Sequence, residues 1–258
     1  MLDDKPKINE TTAPSVGLFY TCLVDAFRPA VGVACVTLLE NAGYRVIIPR
    51  DQTCCGRPAY RLGAGKAATR AARQMIPVFE PFDYVVGPSG TCMAMFSKHY
   101  PELLRDDPHW HERALALAEK SFELTDFLAR IACIPPVHVE YNGVVTFHDS
   151  CTGLRELNIK EQPRQLLSTV RGLDLREMAT PETCCGFGGS FSAKFPQISS
   201  RMTADKLEDI LSTGADTLAG GDLGCLMNIE GQARKMKSPL KVFHTAEILA
   251  GMTLKEPQ

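Results

Sequence analysis

The sequence has no excess of either charge: 28 lysines and arginines stand against 30 aspartates and glutamates. This balance leaves no basic stripe for nucleic acid and no acidic tail, so no polyanion partner is expected. No apolar run reaches the roughly eighteen residues a membrane-spanning helix needs. The opening stretch MLDDKPKINETTAPS sets acid beside base, unlike a signal or transit peptide. Residues 1–14 are expected to form a loose arm, and the protein to be soluble and cytoplasmic. A nucleotide fingerprint is also missing. Neither cysteine loop contains G-x-G-x-x-G between strand and helix, so neither NAD nor flavin is expected on this chain alone. Neither cysteine set contains a C-x2-C knuckle, the usual grip of a structural zinc site.

What the sequence does have is cysteine, ten in all. Without a secretory signal these are expected to be reduced thiols, acting as metal ligands or redox groups before disulfides. Eight of them fall into two matched sets. TCCGRPAY at 53–60 is echoed by TCCGFGGS at 183–190, and each adjacent pair stands between one cysteine upstream and one downstream. The sets are Cys22, Cys54, Cys55 and Cys92, then Cys151, Cys184, Cys185 and Cys225. In the first, 31 residues separate Cys22 from Cys54 and 36 separate Cys55 from Cys92; in the second the gaps are 32 and 39. Such register is the mark of a duplicated domain. Cys35 and Cys133 lie in apolar helical patterns and are expected to be small core side chains.

The surrounding sequence repeats with the cysteines. VGLFYTC (16–22) is a short apolar run ending at a cysteine, as a buried parallel strand feeding a loop would be. A helix then starts at Pro29 and stops before Gly43. YRVIIP (44–49) is the expected second strand, its exit loop carrying Cys54 and Cys55, and one long helix is expected from about Pro58 to Met75. DYVVGPSG (83–90) is the third strand and delivers Cys92 to a helix start. FELTDFLARIA (122–132) closes the half with a strand-like start and a helix capped by Thr125. VVTFHDSC (144–151), GLDLREM, ADTLAGGDLGC (215–225) and VFHTAEILAG (242–251) repeat this plan, with Thr245 in the place of Thr125.

The fold class is therefore α/β: two pseudo-repeated domains, each a small parallel sheet flanked by helices, with cysteine loops at the carboxyl ends of the strands. At 258 residues there is length for two cores. The expected boundaries are an arm at 1–14, a first domain at 15–133, a linker at 134–143 around the proline pair, and a second domain at 144–258.

Four thiolates brought to one point make a zinc site or an iron–sulfur site. Adjacent cysteines diverge in an extended backbone, which suits a cluster whose irons each take one sulfur better than it suits one small ion. The glycine after each pair permits positive φ, and the N–H groups of GFGG (186–189) are placed to hydrogen-bond sulfides. Zinc in one set, and strained vicinal disulfides or merely reactive thiols, remain the alternatives.

GLFYTC, DQTCCGRPAY, VVGPSGTC, FHDSCTGLRELNIK, ETCCGFGGSFSAKF and FHTAEILA together resemble the cysteine-rich CCG-domain iron–sulfur oxidoreductases along nearly the whole chain. The resemblance implies an iron–sulfur electron-transfer subunit of a complex oxidising L-lactate to pyruvate. It would act with two other lactate-utilisation subunits, at least one carrying further redox centres, and L-lactate would be bound somewhere in the complex. The alternative is a zinc-stabilised or thiol scaffold that docks redox partners without carrying electrons. In a relative of the family, the B subunit of heterodisulfide reductase, paired CCG domains end in C-x2-C and hold non-cubane clusters. Here Met95 and Asn228 replace the last cysteine, leaving four thiolates per set, the number an ordinary [4Fe–4S] cluster takes. The cubane is thus favoured over the non-cubane form, one cluster per set.

His148, Asp149 and Arg155 flank Cys151 with no like-for-like equivalents around Cys22. One reading gives His148 a proton-transfer role and lets Arg155 or Arg57 attract a carboxylate. The other has His148 orienting its loop and the arginines pairing with acids. His244 and Thr245 are expected to cap a helix.

Overall fold

Each half of the chain builds a four-stranded, all-parallel sheet from short apolar runs. The computed structural model describes residues 13–253, so all but the last two residues of the expected N-terminal arm lie outside the described residues. In the first half the strands are β1 (Ser15–Leu18), β2 (Arg45–Ile47), β3 (Tyr84–Gly87) and β4 (Ser121–Glu123), in spatial order β2-β1-β3-β4. In the second they are β5 (Glu140–His148), β6 (Arg171–Leu175), β7 (Thr217–Gly220) and β8 (Lys241–His244), in the same order β6-β5-β7-β8. Parallel pairing throughout forces every connection to cross back over a sheet face, and helices make those crossings.

The described residues divide into two units, one running up to Pro88 and resuming at Cys92–Ile134, the other comprising Ser89–Thr91 and the chain from Pro135. In the first unit, α1 (Cys22–Phe27) and α2 (Pro29–Asn41) follow β1. The stretch expected as one helix from Pro58 is two: α3 (Arg57–Arg61) and α4 (Gly65–Phe79). A reversed turn, with Ala64 N–H bonding back to the Ala59 carbonyl at 2.9 Å, ends α3 before α4 begins. After β3 come α5 (Gly90–Ala94), a π-helical stretch Met95–His99, α6 (Tyr100–Leu103) and α7 (Pro108–Glu119); α8 (Leu124–Asp126) follows β4. The second unit has α9 (Cys151–Leu157) and α10 (Glu161–Leu167) after β5, then α11 (Ser190–Lys194) and α12 (Pro196–Ser212) after β6. There α13 (Leu223–Lys235) follows β7 and α14 (Thr245–Leu249) follows β8.

The duplicated helices bury matching faces. Helix α4 turns Ala68, Ala72, Met75, Ile76 and Phe79 inward, and α12 turns Ser199, Thr203, Lys206, Leu207 and Ile210 inward at the same spacing. The cores around these faces differ in kind. The first is aromatic, with Phe19, Phe79, Phe96 and Tyr100 fully buried and Phe19 and Phe96 ring centroids 4.9 Å apart. The second is aliphatic, built on Leu207, Ile210, Leu218, Leu226 and Ile229 with Phe187 against it. Each large apolar side chain buried in this way contributes about 1.5–3 kcal/mol.

Two expectations are corrected. Thr125 does not cap its helix: the Glu123 side chain, two residues earlier, accepts from the Thr125 and Asp126 amides and so takes the cap position. The counterpart cap is His244, whose Nδ1 accepts from Ala246 N–H while Glu247 accepts from the His244 amide, leaving Thr245 as the first helical residue. Cys133 is exposed, not core, because the helix ends before it and its backbone turns to φ 46°. Cys35 is fully buried on α2.

Candidate metal centre

All eight paired-set cysteines lie at carboxyl ends of parallel strands, where a sheet of this type opens its ligand crevice. Cys22 is the first residue of α1, with Thr21 capping that helix through its hydroxyl. Cys54 and Cys55 occupy the loop between β2 and α3, and Cys92 sits in α5 beyond β3. The four thiols are linked pair by pair. Cys54 shares hydrogen bonds with Cys22 and Cys55, Cys55 also with Cys92, and Cys92 acts on Cys22 through its charge.

The hydrogen bonds among these thiols push them in opposite directions. The Cys22 and Cys55 thiols donate to Cys54 and hold it far below the ordinary thiol range, with the Gly56 amide adding to the effect against the cost of burial. The Cys54 hydrogen bond, ahead of desolvation, pushes Cys22 up, and hydrogen bonds to Cys54 and Cys92, then burial, push Cys55 up. A metal that displaced these protons would take the thiols as thiolates and release protons on loading.

The second quartet is built alike. Cys151 opens α9 behind a Ser150 cap, Cys184 and Cys185 follow β6, and Cys225 lies in α13 beyond β7. Cys185 hydrogen-bonds Cys184 and Cys225; the first bond lowers it, but the Cys225 bond and burial prevail and push the thiol up. The Cys185 bond lowers Cys225, but burial and the nearby charges of Asp222, Cys151 and Cys184 outweigh it. None of the ten cysteines is in a disulfide. The vicinal-disulfide alternative therefore has no counterpart in the structure.

Each CCG glycine makes its loop fit. Gly56 and Gly186 have φ of 83° and 80°, and a Cβ on them would stand 2.9 Å from Ala71 Cβ and 2.7 Å from the Ser199 carbonyl. Helices α4 and α12 thus pack directly on the loop backbones. Peptide N–H groups of Leu23, Gly56, Gly186 and Phe187 reach cysteine sulfurs, that of Gly186 standing 3.4 Å from Cys184 Sγ. Soft donors linked in this way, unbridged and met by backbone amides, suit a thiolate-held metal, and in the second unit Cys185 and Cys225 present their sulfurs within 4.8 Å of each other and of a His148 ring nitrogen.

Sequence profiles place the description "Cysteine-rich domain", CCG, on residues 16–97 and again on 145–230. The chain belongs to the CCG cysteine-rich domain family. It is similar to lactate utilization protein A of Bacillus pumilus (46% identity over 91% of this chain and 98% of that one). The same protein of Halalkalibacterium halodurans is 47% identical over 91% of this chain and 96% of its own length, and that of Bacillus subtilis 45% over 91% and 98%. Among solved structures, a hypothetical protein from Helicobacter pylori matches the fold with a TM-score of 0.69 at 11% identity. The match covers 94% of this chain, which spans half the length of the Helicobacter protein.

Met95 and Asn228, each three residues after the last cysteine of its set, have distinct tasks. Met95 is fully buried at the start of the π-helical stretch. Asn228 donates to the Cys185 carbonyl at 3.0 Å and to Thr203 Oγ1 at 2.8 Å, and so fastens the loop from below.

The other candidates separate. Arg57 is buried against the Tyr60 ring, its Cζ 5.8 Å from the centroid. Arg155 is exposed and lines a shallow pocket of about 410 Å³ with Thr180, Glu182 and Thr183. The arginine that answers Asp149 is neither of these but Arg164. It binds Asp149 at 3.0 and 2.8 Å and Glu177 at 2.7 and 2.9 Å, and Asp149 is wholly enclosed. His148 is buried at the end of β5, where desolvation and then Lys206 push its imidazole down to about 3.

Lys206 itself gives no sign in the sequence beyond being a lysine at a position where the helical pattern asks for an apolar residue. Its Nζ donates to the Thr180 and Pro181 carbonyls at 2.8 and 3.0 Å, directly before the second cysteine loop. At the equivalent place in α4, Met75 Sδ accepts from Thr53 N–H and Oγ1 at 3.2 and 3.3 Å. A buried cation thus supports one loop and a thioether the other.

Proposed function

We propose that this chain is the iron–sulfur electron-transfer subunit of a complex that oxidises L-lactate to pyruvate, with one centre held by Cys22, Cys54, Cys55 and Cys92 and another by Cys151, Cys184, Cys185 and Cys225. The observation that supports this reading is the pairwise linking of cysteines from each set at the carboxyl ends of its own sheet. The names of the relatives supply the lactate pathway. When bound, an iron–sulfur centre takes up and hands on single electrons. The protein's part is to hold the sulfurs, to keep water from the buried Cys55, Cys185 and Cys225, and to aim amides at sulfur, which favours the reduced form.

Oxidation of L-lactate releases two electrons and two protons, so a partner subunit must take the pair and pass electrons on singly. Arg155, exposed beside the second loop, suits docking of an acidic or carboxylate group. The test is to combine the anaerobically purified chain with its partner subunits and add L-lactate. Appearance of reduced-cluster EPR signals, absent with D-lactate and absent from a Cys55→Ser, Cys185→Ser double variant, is expected; no lactate-dependent reduction would contradict the reading.

A second reading, zinc in the second quartet, is favoured by one observation. His148, Cys185 and Cys225 present donor atoms within 4.8 Å of one another, a spacing suited to a single ion.

A further inference from the structure

The two halves repeat one another closely enough to make their differences informative. Register along the sheets pairs Leu18 with Val86 in the first unit and His148 with Gly220 in the second. Counting to the cysteine that follows each strand, three residues on in both cases, makes Phe19 the counterpart of His148. Phe19 is fully buried, with its ring in the aromatic cluster of Phe79 and Phe96. An apolar ring therefore satisfies this position as far as packing is concerned.

His148 is as deeply buried, at 1% exposure, yet neither ring nitrogen has a hydrogen-bond partner among the described residues. Buried polar atoms are almost always paired, and one that is not calls for an explanation such as an absent ion. Here the imidazole's donor atom stands within 4.8 Å of Cys185 Sγ and Cys225 Sγ, both themselves buried. Imidazole is a strong ligand for zinc and for iron, and at this spacing it lies within the reach of a metal bound by those sulfurs.

We propose that His148 is a direct ligand of the second centre through one imidazole nitrogen, so that the two halves hold unlike centres: sulfur alone in the first, sulfur and nitrogen in the second. The inference rests on the reading that the second quartet holds a metal, but not on which metal. His148 then joins Cys185 and Cys225 as the inner, water-shielded part of the site. Cys151 and Cys184, only half-buried, form its outer part.

The experiment uses the full chain, purified anaerobically after growth with ¹⁵N-histidine. If the second centre is an iron–sulfur cluster, pulsed EPR of the reduced protein will show strong coupling to a bound ¹⁵N, and the His148→Phe variant, which copies Phe19, will lose it while the first centre's signal stays. If the chain instead holds zinc there, the electron-transfer proposal fails for that site. Zinc-edge X-ray absorption will nevertheless show one nitrogen neighbour at about 2.0–2.1 Å, lost in His148→Phe and retained in wild type. Metal in the second quartet with a sulfur-only environment, or a nitrogen signal unchanged in His148→Phe, would overturn the assignment. Should His148→Phe not fold, as judged by circular dichroism, the labelled wild-type spectrum alone decides: bound nitrogen supports the proposal and its absence rejects it.

Discussion

The hydroxyl of Tyr100 donates a 2.9 Å hydrogen bond to the carbonyl oxygen of Cys55, and both groups are buried. A cysteine loop cannot join the sheet, so its carbonyls depend on side chains from below. In the second unit the Cys185 carbonyl is met by Thr203 Oγ1 at 2.8 Å and Asn228 Nδ2 at 3.0 Å. The same need is answered by different residues in the two copies. Tyr100→Phe leaves the Cys55 carbonyl unpaired and is expected to cost about 1–3 kcal/mol. Urea unfolding measures the cost, and metal analysis should show loss confined to the first centre.

Gly186→Ala should be worse tolerated than an ordinary surface change. The new Cβ would meet the Ser199 carbonyl at 2.7 Å, on a backbone at φ 80° that disfavours side chains. The conformational cost alone is about 1–2 kcal/mol. The expected outcome is lower thermal stability together with weakened metal retention in the second centre. An unchanged melting temperature would count against the tight packing of loop on α12.

Lys206→Met would place in α12 the residue that α4 carries as Met75. It removes a buried cation from beneath the second cysteine loop and leaves the Thr180 and Pro181 carbonyls without their donor. A nearby positive charge favours the reduced, more negative state of a cluster. The second centre's potential should therefore fall by an amount on the order of tens of millivolts, with the first unmoved. A potentiometric EPR titration checks both halves of that statement.

Glu123 gives the fold a pH dependence independent of metal. Complete burial pushes its carboxyl up to about 7, against the opposing hydrogen bonds from Thr125 and Asp126. The folded chain then keeps a proton that the unfolded chain has released above about 4.3. Stability from this group is present below that value and is lost as pH rises towards 7, by about 4 kcal/mol at most. Glu123→Gln should flatten denaturant midpoints between pH 5 and 7, whereas a slope identical to wild type would exclude Glu123 as its source.

Much of this was legible in the sequence because duplication writes the same constraints twice. The cysteine quartets, the strand before each, and the glycine after each pair follow from local pattern. The supports of the loops do not. Tyr100, Lys206, Arg164 and Asn228 lie between about 15 and 45 residues from the groups they hold, and nothing local marks a buried lysine or arginine as such. One cap shifted, since Thr125 looks like a capping residue but Glu123 reaches the amides first, whereas His244 caps its helix as expected and Thr245 begins it. The break between α3 and α4 was hidden by continuous helical composition.

Counting iron and acid-labile sulfide per chain after anaerobic purification decides whether these eight thiols hold two iron–sulfur centres. Two four-iron clusters require about eight of each, falling to about half when Cys22, Cys54, Cys55 and Cys92 are replaced by serine. A colourless protein without iron or sulfide, prepared under the same conditions and correctly folded, would contradict the account.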